Sequence, residues 1–234
     1  MSYHDGRCRV VIVAGPSGAG KSRLTAQLRG HYGWPIVRLD DFYRDGDDPA
    51  LPLLPIGVTD WDDPRSWRAD AAVHALVALC RNGVTDLPTY DIGSSRAVGH
   101  STVTAEPGQL ILAEGIFAAE IIAALAEADA LAAAYSIHSG RWQTFWRRLV
   151  RDLAERRKPP WILWRRGLSL CSQEPEIVAR QVGLGAQPVS PTEAMTAIAA
   201  LVGTPTDSVA SEISDWRRGS GQVDRPEHHG APPA

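Results

Sequence analysis

Gly15-Pro16-Ser17-Gly18-Ala19-Gly20-Lys21-Ser22 fits G-x-x-x-x-G-K-[ST], the phosphate-binding loop signature. Just before it, Cys8-Arg9-Val10-Val11-Ile12-Val13-Ala14 reads as a buried strand. Just after it, Leu24, Ala26 and Leu28 suit a helix from about Lys21 to His31, which Gly33 ends. The motif therefore stands between a strand and a helix, where its chemistry needs it. Gly15, Gly18 and Gly20 allow backbone dihedrals closed to other residues. Successive N–H groups through Ser17, Gly18, Ala19 and Gly20 can then turn inward around phosphate oxygens. The following helix points its positive end at the same phosphates. Lys21 can reach the outer phosphates, and the Ser22 hydroxyl suits Mg2+. The alternative, a glycine-rich turn that occurs by chance, does not account for the strand before and the helix after.

Downstream, Pro35-Ile36-Val37-Arg38-Leu39 reads as a short second strand, parallel to the first, and it runs into Asp40-Asp41-Phe42-Tyr43. In open α/β sheets the C-terminal ends of strands face the ligand crevice. Asp40 or Asp41 is thus placed to orient an acceptor hydroxyl and take its proton, or to help hold Mg2+ through water. Asp40, directly after the strand, is favoured as the base; solvated turn carboxylates are the alternative. Phe42 and Tyr43 read equally as a stacking wall or as core. Residues 44–66 form a long acidic connection, unusual unless functional or disordered. Within it, Trp61-Asp62-Asp63-Pro64 pairs an aromatic with carboxylates that can accept from sugar hydroxyls. The competing account is an Asx-type cap on the next helix, about Trp67 to Arg81, which Asn82-Gly83 stops.

Leu87 to Ile92, a turn at Gly93-Ser94-Ser95-Arg96, and Val98 to Thr104 read as a small β excursion above the sheet. Tyr90, Asp91 and Arg96 there are candidate substrate contacts, or polar decoration of a hairpin. Leu110-Ile111-Leu112-Ala113 is a buried strand that delivers Glu114 at its C-terminal end. Paired with Ser22, Glu114 makes a coherent Mg2+ site; capping a helix over Ile116 to Ala126 is the second role open to it. Ala132 to His138 reads as another core strand, with His138 read as structural.

Arg141 to Arg157 reads as a long helix, and residues 141–166 hold nine basic and two acidic side chains. Arg148, Arg151, Arg156 and Lys158 fall on related turns and can stabilise ATP phosphates as charge develops. Pro159-Pro160 ends that helix and can hinge a lid. A solvated basic face and a nucleic-acid patch interleaved with Trp161 and Trp164 are the alternatives. A helix over 174–182 and a short strand near Gln187 to Val189 follow. Ser190-Pro191-Thr192-Glu193 then starts a capped helix that runs to about Leu201.

The chain has 234 residues and net charge −3, so no global basic field points to nucleic acid. Hydrophobic residues make up 44%, enough for one sizeable α/β domain. Cys8, Cys80 and Cys171 match neither a disulfide framework nor a zinc spacing. No apolar run is long enough to span a bilayer, and the N-terminal stretch lacks a signal-peptide pattern. The expectation is a cytoplasmic protein with a small-molecule partner and no nucleic acid or membrane, compatible with a homo-oligomer. It assigns 1–205 to one phosphate-loop domain, with an excursion over 84–106 and a lid over 141–166. Residues 206–234 are expected to form a polar, partly disordered tail.

Taken together, these motifs resemble the uridine kinase and phosphoribulokinase branch of P-loop kinases, over about residues 9–160. The resemblance rests on Gly15 to Ser22, Asp40 to Tyr43, Trp61 to Pro64, Pro88 to Asp91, Glu114-Gly115 and Arg147 to Arg157. It implies transfer of the ATP γ-phosphate to a sugar hydroxyl with Mg2+. It also implies Asp40 as the activating aspartate, Asp62 on ribose hydroxyls, and Tyr90 against the base. Glu114 becomes the metal-linked acid, and Arg151, Arg156 and Lys158 become phosphate and lid positions. Members of that branch carry a histidine shortly after the tyrosine, which reads the pyrimidine. Here Ile92-Gly93-Ser94-Ser95-Arg96 is one residue shorter and lacks it. The strand before the lid also ends differently, in His138-Ser139-Gly140. The acceptor can therefore be a nucleoside, a pantothenate-like alcohol or a small sugar.

Overall fold

The computed structural model describes residues 6–138 and 175–203. The expected lid helix and tail lie outside the described residues. Five parallel strands form the central sheet in the order β2-β5-β1-β6-β7. They are β1 Arg9–Ala14, β2 Ile36–Arg38, β5 Leu110–Gly115, β6 Leu131–Ile137 and β7 Gln187–Val189. A separate antiparallel pair, β3 Val84–Asp91 and β4 Arg96–Thr104, is the small β excursion. The helices are α1 Lys21–Tyr32, α2 Ala69–Asn82, α3 Ile122–Glu127, α4 over 175–183 and α5 Pro191–Leu201. This is an α/β fold with a parallel sheet flanked by helices, the P-loop NTPase-like architecture.

The alternation of strand side chains divides the core in two. Val11 and Val13 of β1 with Leu110 and Leu112 of β5 pack against Leu24 and Leu28 of α1 and Met195 and Ile198 of α5. Val10, Ile12 and Ala14 with Ile111 and Ala113 pack on the other face against Leu76 and Leu79 of α2 and Leu125 of α3. Both faces of the central strands are covered, which is why β1 and β5 read as continuous apolar runs rather than alternating ones.

Several boundaries differ from the sequence expectation. The second strand is only Ile36–Arg38, because the chain tightens into a 3-10 turn over Leu39–Phe42 that buries Leu39 and Phe42. The helix expected over 116–126 is a 3-10 turn, Ala118–Ile121, followed by the short α3. The tighter turn buries Ala118, Ala119 and Ile121 together. The hairpin strand starts at Val84, directly after Gly83, whose φ of 71° closes α2. The cap at Ser190 forms as expected. The Ser190 hydroxyl accepts from the Glu193 N–H at 3.3 Å, and the Ser190 N–H donates to Glu193 Oε2 at 2.7 Å.

Candidate functional site

The loop between β1 and α1 takes the shape its glycines permit. Gly15, Gly18 and Gly20 have φ of 146°, 81° and 102°. A side chain at Gly15 has no room either: a β-carbon there would stand 2.5 Å from the Ile137 carbonyl oxygen of β6. The Ala19 N–H donates to the Pro16 carbonyl at 3.2 Å and closes the turn. Lys21 Nζ donates back to the carbonyls of Gly15 at 2.8 Å and Pro16 at 3.0 Å, so the ammonium lies over the mouth of the loop. At the start of α1, Gly20 makes no side-chain cap and the first turn carries no acidic residue, which suits the helix's positive end to an anionic ligand.

Glu114 reaches this loop by strand parity. It follows Leu110 and Leu112 in the alternation of β5, the positions that pack against α1. Its residue is 8% exposed and its Oε2 is buried with no hydrogen-bond partner among the described residues. Burial pushes the Glu114 carboxyl above its ordinary pKa. The Lys21 ammonium and the Ser22 and Thr25 hydroxyls pull it back down, and the Asp40 charge raises it. A buried, unsatisfied carboxylate oxygen beside a serine hydroxyl is the donor set a hard, oxygen-seeking cation takes, so these residues fit Mg2+. Among the described residues no three His, Cys, Asp or Glu side chains form a metal cluster. A magnesium ion here would complete its shell with phosphate and water oxygens, the usual habit of that ion.

Gly115, one residue on, belongs to the opposite parity, and Asp40 lies against it. Asp40 Oδ1 is 3.1 Å from where a β-carbon on Gly115 would stand. The structure separates the two adjacent aspartates. Asp41 Oδ1 accepts from the Tyr90 N–H at 3.3 Å and Oδ2 lies 4.0 Å from Arg38, so Asp41 ties the 3-10 turn to β3.

The stretch carrying Asp62 is sewn onto the Asp40 stretch. The Arg44 N–H donates to the Ser66 carbonyl at 2.9 Å and the Arg68 N–H to the Phe42 carbonyl at 3.0 Å, flanking a Tyr43–Trp67 bridge. The connection over 44–66 is therefore an ordered structure held by Asx turns at Asp60 and Asp63 and by a 3-10 turn, Pro64–Ser66. Within Trp61-Asp62-Asp63-Pro64, Asp63 caps the 3-10 turn rather than the following helix, while the Asp62 side chain is exposed. Tyr43 is at the centre of an aromatic group, with ring centroids 5.8 Å from Trp61, 6.0 Å from Tyr90 and 6.0 Å from Phe117. Burial raises the Tyr43 phenol, as do the charges of Asp40 and Asp62 nearby.

The structure thus brings together Lys21, Ser22, Glu114, Asp40, Tyr43, Tyr90 and Asp62. It does not bring Arg96 in as a free contact. Arg96 Nη2 pairs with Asp47 at 2.6 Å on the exposed hairpin tip. Tyr90 spends its hydroxyl on the Arg44 carbonyl at 3.0 Å and offers its ring. His138 is exposed at the end of β6. The expected phosphate contacts Arg148, Arg151, Arg156 and Lys158 lie outside the described residues.

Three contributors were not anticipated. Thr25 lies one helical turn after Ser22, a spacing that could have flagged it. Phe117 completes the aromatic group. Gln181 is 3% exposed; its Oε1 accepts from the Ser136 hydroxyl at 2.7 Å and its Nε2 donates to the Ile116 carbonyl at 2.9 Å. It fastens α4 across the ends of β5 and β6, and no local sequence signal announces such a bridge.

No family model matches the chain. It is 32% identical over 115 residues to a uridine kinase of Macrococcus caseolyticus, a match covering 47% of this chain and 54% of that protein. It is 33% identical over 109 residues to inorganic pyrophosphatase TTM2 of Arabidopsis thaliana, covering 47% of this chain and 15% of that protein. The chain spans about half the length of the uridine kinases it matches. Among solved structures, a Silicibacter sp. TM1040 protein described as a fructose transport system kinase shares the fold. The TM-score is 0.53 at 15% identity, over 82% of this chain and 91% of that one. The sequence similarities include several uridine kinases, which supports the broader kinase superfamily, while the likeness to the solved structure shows a shared fold. No helix among the described residues is long and apolar enough to cross a membrane.

Proposed function

We propose that this chain is an ATP-dependent phosphotransferase that moves the γ-phosphate to a hydroxyl of a small molecule, with a nucleoside as the acceptor the resemblance implies. One observation carries the reading: the glycine loop, Glu114 and Asp40 stand at the C-terminal ends of β1, β5 and β2, three neighbouring strands.

Phosphoryl transfer of this kind depends on positioning and on charge stabilisation. The loop N–H groups and the N-terminus of α1 would bind the phosphate oxygens. Lys21 would leave the Gly15 and Pro16 carbonyls for the outer phosphates. Ser22 and Glu114 would hold Mg2+, which, when bound, neutralises phosphate charge. Asp40 would accept a hydrogen bond from the acceptor hydroxyl, orient it in line, and take its proton. Asp62 and the Tyr43, Tyr90 and Trp61 rings would hold the acceptor. Arg148, Arg151, Arg156 and Lys158 would serve the phosphates from the lid.

One observation favours a non-nucleoside alcohol as a second reading. The turn where the resembling family reads its base is internally engaged. Asp91 accepts from the N–H groups of Gly93 and Ser94 and from the Ser94 hydroxyl, and Arg96 is paired with Asp47. An ATP-consumption screen over nucleosides, pantothenate-like alcohols and small sugars, with product mass measured against a water-only background, separates the two. Acceptor-dependent ADP and a phosphorylated product are expected. Turnover that no alcohol changes would overturn the reading.

A further inference from the structure

We infer that Trp67 is a positioning residue for Asp40, a role that rests on the kinase reading above. The Trp67 indole Nε1–H donates to the Leu39 carbonyl at 2.6 Å, and Leu39 is the residue immediately before Asp40. Both partners are enclosed: Trp67 is 3% exposed and Leu39 1%. Water has little access to such a place, so removing the indole N–H takes away a donor to the Leu39 carbonyl that solvent does not readily restore, beyond whatever the 3-10 turn itself supplies. The Leu39 β-carbon, in turn, is pressed against Gly115, 2.9 Å from where a β-carbon there would stand. Leu39 is therefore held between the indole and the end of β5, and with it the backbone that carries Asp40.

Trp67 also ends the stretch that carries Trp61 and Asp62. Its bridge to Tyr43 and its ring, 6.2 Å from Phe117, place it under the aromatic group. One side chain thus ties the acceptor-side loop to the turn that holds the base. The role needs an N–H on a large ring, which tryptophan supplies and phenylalanine does not.

The test compares wild type with Trp67→Phe and with a chain carrying 3-benzothienylalanine at position 67, which keeps the bicyclic shape and replaces the N–H with sulfur. Acceptor-dependent kcat is expected to fall about tenfold in both, the scale set by a small misplacement of a catalytic group. The KM for ATP should be unchanged, because the phosphate loop is untouched. A folded variant of either kind with wild-type kcat would overturn the inference. So would a loss that falls on the KM for ATP instead, the mark of a general structural defect. If Trp67→Phe does not fold, the benzothienyl chain decides alone. Failure of the kinase reading is seen separately, as a wild-type chain with no acceptor-dependent turnover, and it would take this inference with it.

Discussion

Asp40 lies over Gly115, its Oδ1 3.1 Å from where a β-carbon at that position would stand. The last residue of one strand thus leaves room for the first carboxylate beyond its neighbour, since β2 and β5 run side by side with Arg38 opposite Glu114. Gly115 keeps this space through missing bulk rather than unusual backbone. Gly115→Ala must displace Leu39 or Asp40. A fall in acceptor-dependent kcat of roughly 10- to 100-fold is expected, on the scale of a misplaced catalytic group. ATP affinity, read by fluorescent nucleotide titration, should persist.

Asp40→Asn keeps the shape and removes the proton acceptor. Transfer should fall by about 10²–10⁴-fold, the range for loss of a general base, with ATP binding retained. Near-normal turnover would remove Asp40 from the role and return attention to Asp41, although Asp41 is already engaged with Tyr90 and Arg38.

Glu114 makes stability depend on pH. Burial raises its pKa above the ordinary 4.5, so the folded chain holds a proton there more readily than the unfolded chain. The contribution is full below the ordinary value and is lost as pH rises through the raised one. Metal-free Glu114→Gln should therefore melt above wild type at neutral pH, with the difference vanishing in acid. The same variant should need more Mg2+ for half-maximal turnover. A neutral-pH melting temperature equal to or below wild type would contradict the account of its burial.

Asp62 offers an exposed carboxylate, while its backbone N–H is held by Asp60 at 3.1 Å. Asp62→Asn should leave the melting temperature within the small range of surface changes, about 0.5 kcal/mol. The KM for the acceptor should rise, while the KM for ATP should hold. A variant with an unaltered acceptor KM would move acceptor binding elsewhere.

Much of this was legible where the signal is local. The glycine spacing at 15–20, the caps at Gly33 and Gly83, and the Ser190–Glu193 box act through backbone within a few residues, and each forms as read. The strands β1 and β5 themselves also follow from their apolar runs, though a run without alternation does not say which face each residue takes. The boundaries at Leu39–Phe42 and Ala118–Ile121 did not follow, because 3-10 turns there are set by what each residue can bury against the sheet. Sequence shows the Arg96 charge and not its partner; Asp47, distant along the chain, pairs with it on the exposed hairpin tip.

The sequence by itself determined a phosphate-shaped loop, the strand before it and the helix after it, because φ freedom and hydrogen-bond caps are properties of neighbouring residues. Only the tertiary structure decided which aspartate is engaged with Tyr90 and Arg38, which face Glu114 takes, and that Trp67 holds Leu39. Those facts depend on strand order and on groups far apart in the chain meeting in a dry interior, where an unmade hydrogen bond is costly and every position is contested.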